Sequence, residues 1–152
     1  MAKKLINKPF KILYIGRFDK NKNTLNLIKA ILILKSKFTN LEINLVGKGG
    51  VYEKEIIRLA KLHKGTINYY GPIYNKQELR NIYMSNHIFA MPSFSETFGL
   101  VYLEALSQGL PIMCSKNQGI DRTFKFKIGE FTYPNSVKFI VDSLSKIIQN
   151  YD

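Results

Sequence analysis

Two glutamates eight positions apart, Glu96 and Glu104, bracket the stretch of this sequence best suited to chemistry. Between them runs Thr97-Phe98-Gly99-Leu100-Val101-Tyr102-Leu103, a glycine followed by apolar residues at helical density. A helix beginning near Gly99 aims unpaired backbone N–H groups and the positive end of its dipole at whatever precedes it, which makes a seat for an anion. Glu96 stands in front of that end. It serves either as a simple charge partner of the helix or as a ligand for hydroxyl groups beside a bound phosphate. Glu104 falls where the pattern is apolar on nearly every side, so the sequence predicts a buried helix carrying a buried carboxylate. Such a group needs partners. They could be a structural ion pair or hydrogen bond, or ligand hydroxyls such as a ribose diol.

Cations that could meet a phosphate lie far upstream, in Gly16-Arg17-Phe18-Asp19-Lys20-Asn21-Lys22-Asn23. Taken alone, Arg17 and Lys22 also fit solvated loop charges. His63 and His87 are isolated, and no His/Cys/Asp cluster has metal-ligand spacing, so no metal site is expected. The single cysteine, Cys114, lies in Leu110-Pro111-Ile112-Met113-Cys114 and reads as a buried small hydrophobe rather than a nucleophile. One cysteine excludes an internal disulfide and suits a reducing compartment.

These residues need a scaffold, and the hydrophobic pattern supplies one. Strands are expected over 11–15, 41–46, 66–70, 87–91, 112–115 and 130–133, and helices over 24–37, 52–64, 76–85, 99–108 and 136–150. Asn23 or Thr24 is a candidate cap for the first helix, and 116–129 reads as a loop. Strands alternating with helices indicate an α/β fold: a Rossmann-like, doubly wound parallel sheet of about six strands with helices on both faces. Sheets of this kind bind ligands at the carboxyl ends of their strands. Attention therefore falls on four turns, at Gly16-Arg17, Gly47-Lys48-Gly49-Gly50, Gly71-Pro72-Ile73 and 92–99.

The 152 residues, 45% of them hydrophobic, suit one domain. The net charge of +12 comes mostly from lysine in a chain also rich in Ile and Asn, a mixture that coding bias alone can produce. A basic field speeds encounter with anionic substrates, membrane surfaces and nucleic acids alike. No RNP-type signature accompanies it, so no nucleic-acid partner is expected. No apolar run approaches the roughly 18 residues that span a bilayer. The first eight residues lack the apolar centre of a secretory signal. A cytoplasmic location follows as the expectation, with membrane contact peripheral, at the inner face.

Taken in order, these motifs resemble the C-terminal domain of the retaining glycosyltransferases called group 1 or family 4, which have the GT-B fold. The resemblance runs over 12–134. Gly16-Arg17 with Lys22 is similar to the family's phosphate-binding segment, Gly47-Lys48-Gly49 to its Gly-x-Gly turn, and Gly71-Pro72-Ile73 to its turn near the nucleobase. Pro92-Ser93, the two glutamates and Gly109-Leu110-Pro111 complete it. The resemblance implies that Gly16, Arg17 and Lys22 meet the diphosphate and that Glu96 holds hydroxyls of the donor sugar. It further implies that amides near Phe98, Gly99 and Leu100 meet sugar and phosphates, that Ile73 lies against the base, and that Glu104 holds the ribose. Arg17, Lys22 and Glu96 would be the catalytic set, with no cofactor and no metal.

The implied activity is metal-independent hexosyl transfer, with retention, from a nucleotide sugar to a glycan or lipid-linked acceptor. Two local departures stand out. Asn23 replaces the glycine that commonly follows the phosphate-binding lysine; asparagine tolerates positive φ and caps helices. Gln118-Gly119-Ile120-Asp121-Arg122 replaces the family's Gly-Gly-x-Pro-Glu. The acceptor-binding domain of the GT-B fold is expected to be absent from 1–152, so activity would need a separate domain or subunit. The competing expectation is a non-catalytic nucleotide-binding or interaction subunit, or a truncated remnant.

Overall fold

The computed structural model describes residues 8–151. Residues 1–7, on which the reading of a missing secretory signal mostly rests, lie outside the described residues. Among the described residues six strands form one parallel sheet: β1 Phe10–Ile15, β2 Leu41–Val46, β3 Ile67–Gly71, β4 Ile88–Met91, β5 Ile112–Ser115 and β6 Gly129–Thr132. Their order across the sheet is β3-β2-β1-β4-β5-β6. Helices cover both faces, five of them among the described residues: α1 Thr24–Lys35, α2 Glu53–Leu62, α3 Lys76–Met84, α4 Leu100–Ser107 and α5 Val137–Gln149. This is the doubly wound arrangement expected from the sequence, and each expected strand and helix is found within about two residues of its anticipated ends.

The strands are short apolar runs because the sheet is covered on both sides. All four residues of β4 and of β5 are buried. Helix α1 turns Leu27, Ile28, Ala30, Ile31 and Leu34 inward and packs against α5, which buries Ile140, Leu144, Ile147 and Ile148. Each of these leucine and isoleucine side chains contributes about 1.5–3 kcal/mol relative to exposure. The winding reverses between β1 and β4, so the loops leaving these two neighbours diverge and leave a crevice at their carboxyl ends.

Two local expectations are corrected. Asn23 has the positive φ expected of it, 62°, yet its side chain does not cap α1. Instead Nδ2 donates to the carbonyls of Pro92 and Pro134, at 2.9 and 2.8 Å, tying three loops together. Helix α4 is not buried all round. Only Tyr102 and Ala105 are buried in it, and Leu100 at its start is 70% exposed. One face of this apolar helix looks out of the domain.

Candidate functional site

The loops after β1, β2 and β3 are built on one another. Gly16 N–H donates to Val46 O at 3.0 Å, Phe18 N–H to Gly49 O at 2.8 Å, and Gly47 N–H to Gly71 O at 2.9 Å. Gly47, at φ 143°, is obligatory here: a Cβ on it would stand 1.9 Å from Gly16 O. Fully buried Phe18, stacked 5.8 Å from Tyr14, anchors the β1 loop from below. The Tyr14 hydroxyl donates to the Arg17 carbonyl. Arg17 is thereby thrown outward, its side chain 65% exposed, with Nε 3.2 Å from Asp19 Oδ2. Its guanidinium lies across Gly49, where a Cβ would come within 2.8 Å of Nη1. The phosphate-binding candidates of the first two turns thus share one edge of the sheet.

From the β1 loop the chain makes a single 3-10 turn, Lys20–Lys22, directly before α1. This turn meets the loop after β4. Lys22 Nζ is 2.9 Å from Glu96 Oε2, and the two side chains retain only 24% and 14% of their exposure. Asn21 pairs with the backbone of Ser95 through both its amide atoms, at 2.8 and 2.9 Å. From the other side, Gln118 Oε1 accepts the Glu96 N–H at 3.1 Å. The loop that departs from the family pattern therefore still reaches the site, and its one remaining glycine is used there. A Cβ on Gly119 would lie 2.9 Å from Phe98 O.

Gly99, at φ 76°, starts α4, and no side chain caps that helix. The Tyr102 ring packs beneath Gly99, so that a Cβ there would sit 2.6 Å from it. The Tyr102 hydroxyl donates to Met91 O at 2.6 Å, and burial holds its pKa far above the usual phenol value. Glu96 lies against this start of α4, since a Cβ on Gly99 would stand 3.2 Å from Glu96 Cγ, and Phe98 between them is partly buried.

Glu104 requires the largest correction. It is exposed, not buried, and accepts a hydrogen bond from the Tyr83 hydroxyl at 2.8 Å. Burial, and then the bond to Glu104, raise the Tyr83 pKa, so this phenol stays a donor. Ile73 packs partly buried against the core in the loop after β3, next to exposed Tyr74, over whose ring Lys48 Nζ stands at 5.7 Å. Among the described residues no group of three or more His, Cys, Asp or Glu could hold a metal ion. His63 ends α2. His87 precedes β4, at the opposite edge of the sheet, where its Nδ1 accepts the Lys11 N–H at 3.0 Å. Cys114 is buried as expected, its thiol pushed up to about 12 by desolvation. A cavity of 430 Å³ beside Pro111, Phe126, Ile128 and Tyr151 lies where β5 and β6 begin, away from these residues.

Of the residues gathered here, sequence reasoning singled out the charged ones and passed over the contacts of Asn21, Gln118 and Tyr83. An uncharged amide or a tyrosine carries no signal of its own until its partner is known.

Comparison with known proteins bears on the family and the fold. The family described as glycosyl transferases group 1 matches residues 1–152. The sulfoquinovosyl transferase SQD2 of Arabidopsis thaliana is 35% identical over 109 residues, covering 72% of this chain and 20% of that protein. The GtfA subunit of the UDP-N-acetylglucosamine–peptide N-acetylglucosaminyltransferase of Streptococcus parasanguinis is 31% identical over 87 residues, 57% of this chain and 17% of that one. This chain thus spans about a fifth of the length of these relatives. Among solved structures, the C-terminal domain of the group 1 family protein LpcC from Francisella tularensis superposes with a TM-score of 0.80 at 24% identity, covering 94% of this chain and 78% of that domain. With a family match along its whole length and this likeness of fold, the chain belongs to the group 1 glycosyl transferases.

Proposed function

We propose that this chain binds the donor of a retaining, metal-independent glycosyltransferase, a nucleoside diphosphate sugar. The observation that carries this reading is the Lys22–Glu96 pair, which sets a cation and a carboxylate side by side at the β1/β4 reversal. Arg17 and the uncapped start of α4 lie on the same edge. A diphosphate needs the cations and the helix donors; sugar hydroxyls need the carboxylate. In this reading Glu104, on the outward face of α4, takes the ribose and Ile73 meets the base.

In the transfer step the acceptor oxygen bonds to the anomeric carbon as the bond to the leaving phosphate oxygen breaks. The leaving diphosphate takes the electron pair, and the proton of the acceptor hydroxyl passes to a departing phosphate oxygen. Negative charge grows on the diphosphate, and Arg17, Lys22 and the start of α4 stabilise it as it develops. With those cations present, no divalent ion is required. Retention follows if the acceptor attacks the face from which the leaving group departs.

The length of the relatives supports a second, acceptor-binding domain or subunit closing the crevice. A glycan or lipid-linked acceptor would bind there, with peripheral contact at the cytoplasmic face of a membrane. No helix among the described residues is long and apolar enough to cross one. Without that partner the chain would bind nucleotide and transfer little, because transfer requires a positioned acceptor and excluded water.

Titration calorimetry with UDP, GDP and ADP, with magnesium and with a chelator, tests the proposal. UDP comes first, since the Streptococcus relative is named for a UDP-linked donor. Binding of one diphosphate, unchanged by the chelator and weakened by Lys22→Ala, is expected. No binding to any of the three, or binding abolished by chelation, would overturn it.

A further inference from the structure

We propose that Asn21 is a positioning residue for the donor sugar, acting through Glu96. The inference rests on the donor-binding function proposed above and adds a residue that neither sequence nor family pattern marks.

The loop that carries Glu96 has little packing to hold it. Ser93 is buried, but Phe94, Ser95 and Thr97 are exposed, and Glu96 and Phe98 are only partly buried. Polar bonds must therefore fix its position, and Asn21 makes three of them. Its Nδ2 donates to Ser95 O at 2.8 Å, its Oδ1 accepts the Ser95 N–H at 2.9 Å, and its own carbonyl accepts the Phe94 N–H at 2.8 Å. The side-chain amide thus pairs with both backbone groups of one residue, as an added rung of a β-ladder does. Asn21 immediately precedes Lys22, and Ser95 immediately precedes Glu96. The clasp therefore sits one residue from the ion pair on each side and sets the height of the Glu96 carboxylate above the crevice.

Only a short arm ending in both a donor and an acceptor can make this pair. Aspartate loses the donor and sets a carboxylate oxygen against the Ser95 carbonyl. Because the clasp is exposed, water can replace its bonds at little cost to the fold. Its loss shows in where Glu96 sits, not in whether the chain folds.

The test compares affinities for a nucleotide sugar and for its bare diphosphate by calorimetry on the full chain. The probes are UDP-glucose, GDP-mannose and ADP-glucose with UDP, GDP and ADP, and the pair that the unaltered chain binds is carried forward. Asn21→Ala should weaken the nucleotide sugar about fivefold and the diphosphate less than twofold, with an unchanged melting temperature. Asn21→Asp should weaken the sugar nucleotide at least as much. In a Glu96→Ala background the Asn21→Ala effect should vanish, since Asn21 has nothing left to position. Equal losses for both ligands, no loss, or an undiminished effect without Glu96 would overturn the role of Asn21 alone. An unaltered chain that binds none of the probes would overturn the donor-binding function and this role with it.

Discussion

Lys22 Nζ and Glu96 Oε2 lie 2.9 Å apart, although 74 positions separate them in the chain. Both are mostly withdrawn from water, so each is the partner that makes the other's burial tolerable. Lys22→Ala should cost about 1–3 kcal/mol in urea unfolding, because it leaves a largely buried carboxylate without its cation. Glu96→Ala should cost a similar amount, and the double variant little more than either single one. A double variant that loses the sum of the two would show that the side chains do not interact.

Tyr83 and Glu104 supply a second prediction. The phenol donates to the carboxylate at 2.8 Å, on the outward face of α4. Glu104→Ala should weaken binding of the preferred nucleoside diphosphate about tenfold, at the level of a lost charge-assisted hydrogen bond. Tyr83→Phe leaves the carboxylate in place and should weaken it no more than about threefold. Calorimetry on both variants checks the order; a larger loss for Tyr83→Phe would contradict it.

Backbone geometry at the crevice gives a third. Gly47→Ala would drive a Cβ to 1.9 Å from Gly16 O at a φ of 143°, whereas Gly65, at φ 81°, has nothing within 4 Å. Gly65→Ala should cost roughly 1–2 kcal/mol, from the positive φ alone. Gly47→Ala should cost about 3 kcal/mol or more, since the contact adds to the backbone strain. Thermal unfolding of the two variants side by side makes the comparison.

A fourth concerns pH. Burial lowers the pKa of His87, whose Nδ1 must be unprotonated to accept the Lys11 N–H. The folded chain thus resists protonation at this site while the unfolded chain, with an imidazole near 6.5, does not. The stability contributed is complete above pH 6.5 and is lost as pH falls towards the lower folded value. Urea midpoints between pH 8 and 5 should fall more steeply for the wild-type chain than for His87→Gln. Parallel slopes would exclude His87 as the cause.

Much of this protein was legible in its sequence because the signals are local. Apolar runs such as Ile112-Met113-Cys114 and the period of Leu27, Ile28, Ile31 and Leu34 specify strand and helix through neighbours in the chain, so each element appears near its expected ends. Gly16-Arg17, Lys22 and the two glutamates could be singled out as glycine and charges beside expected strand ends, while the roles given to them came from the resemblance to the family. Tertiary structure decided the rest. Whether Lys22 meets Glu96 depends on β1 lying next to β4, a matter of strand order that no local pattern encodes. The clasp of Asn21 on Ser95 and the contact of Gln118 with Glu96 depend on the same placement. The exposure of Glu104 was misread for a further physical reason. Hydrophobic periodicity shows that a helix has apolar sides, but only the packed sheet determines which side is covered, and α4 turns Leu100 and Glu104 away from it.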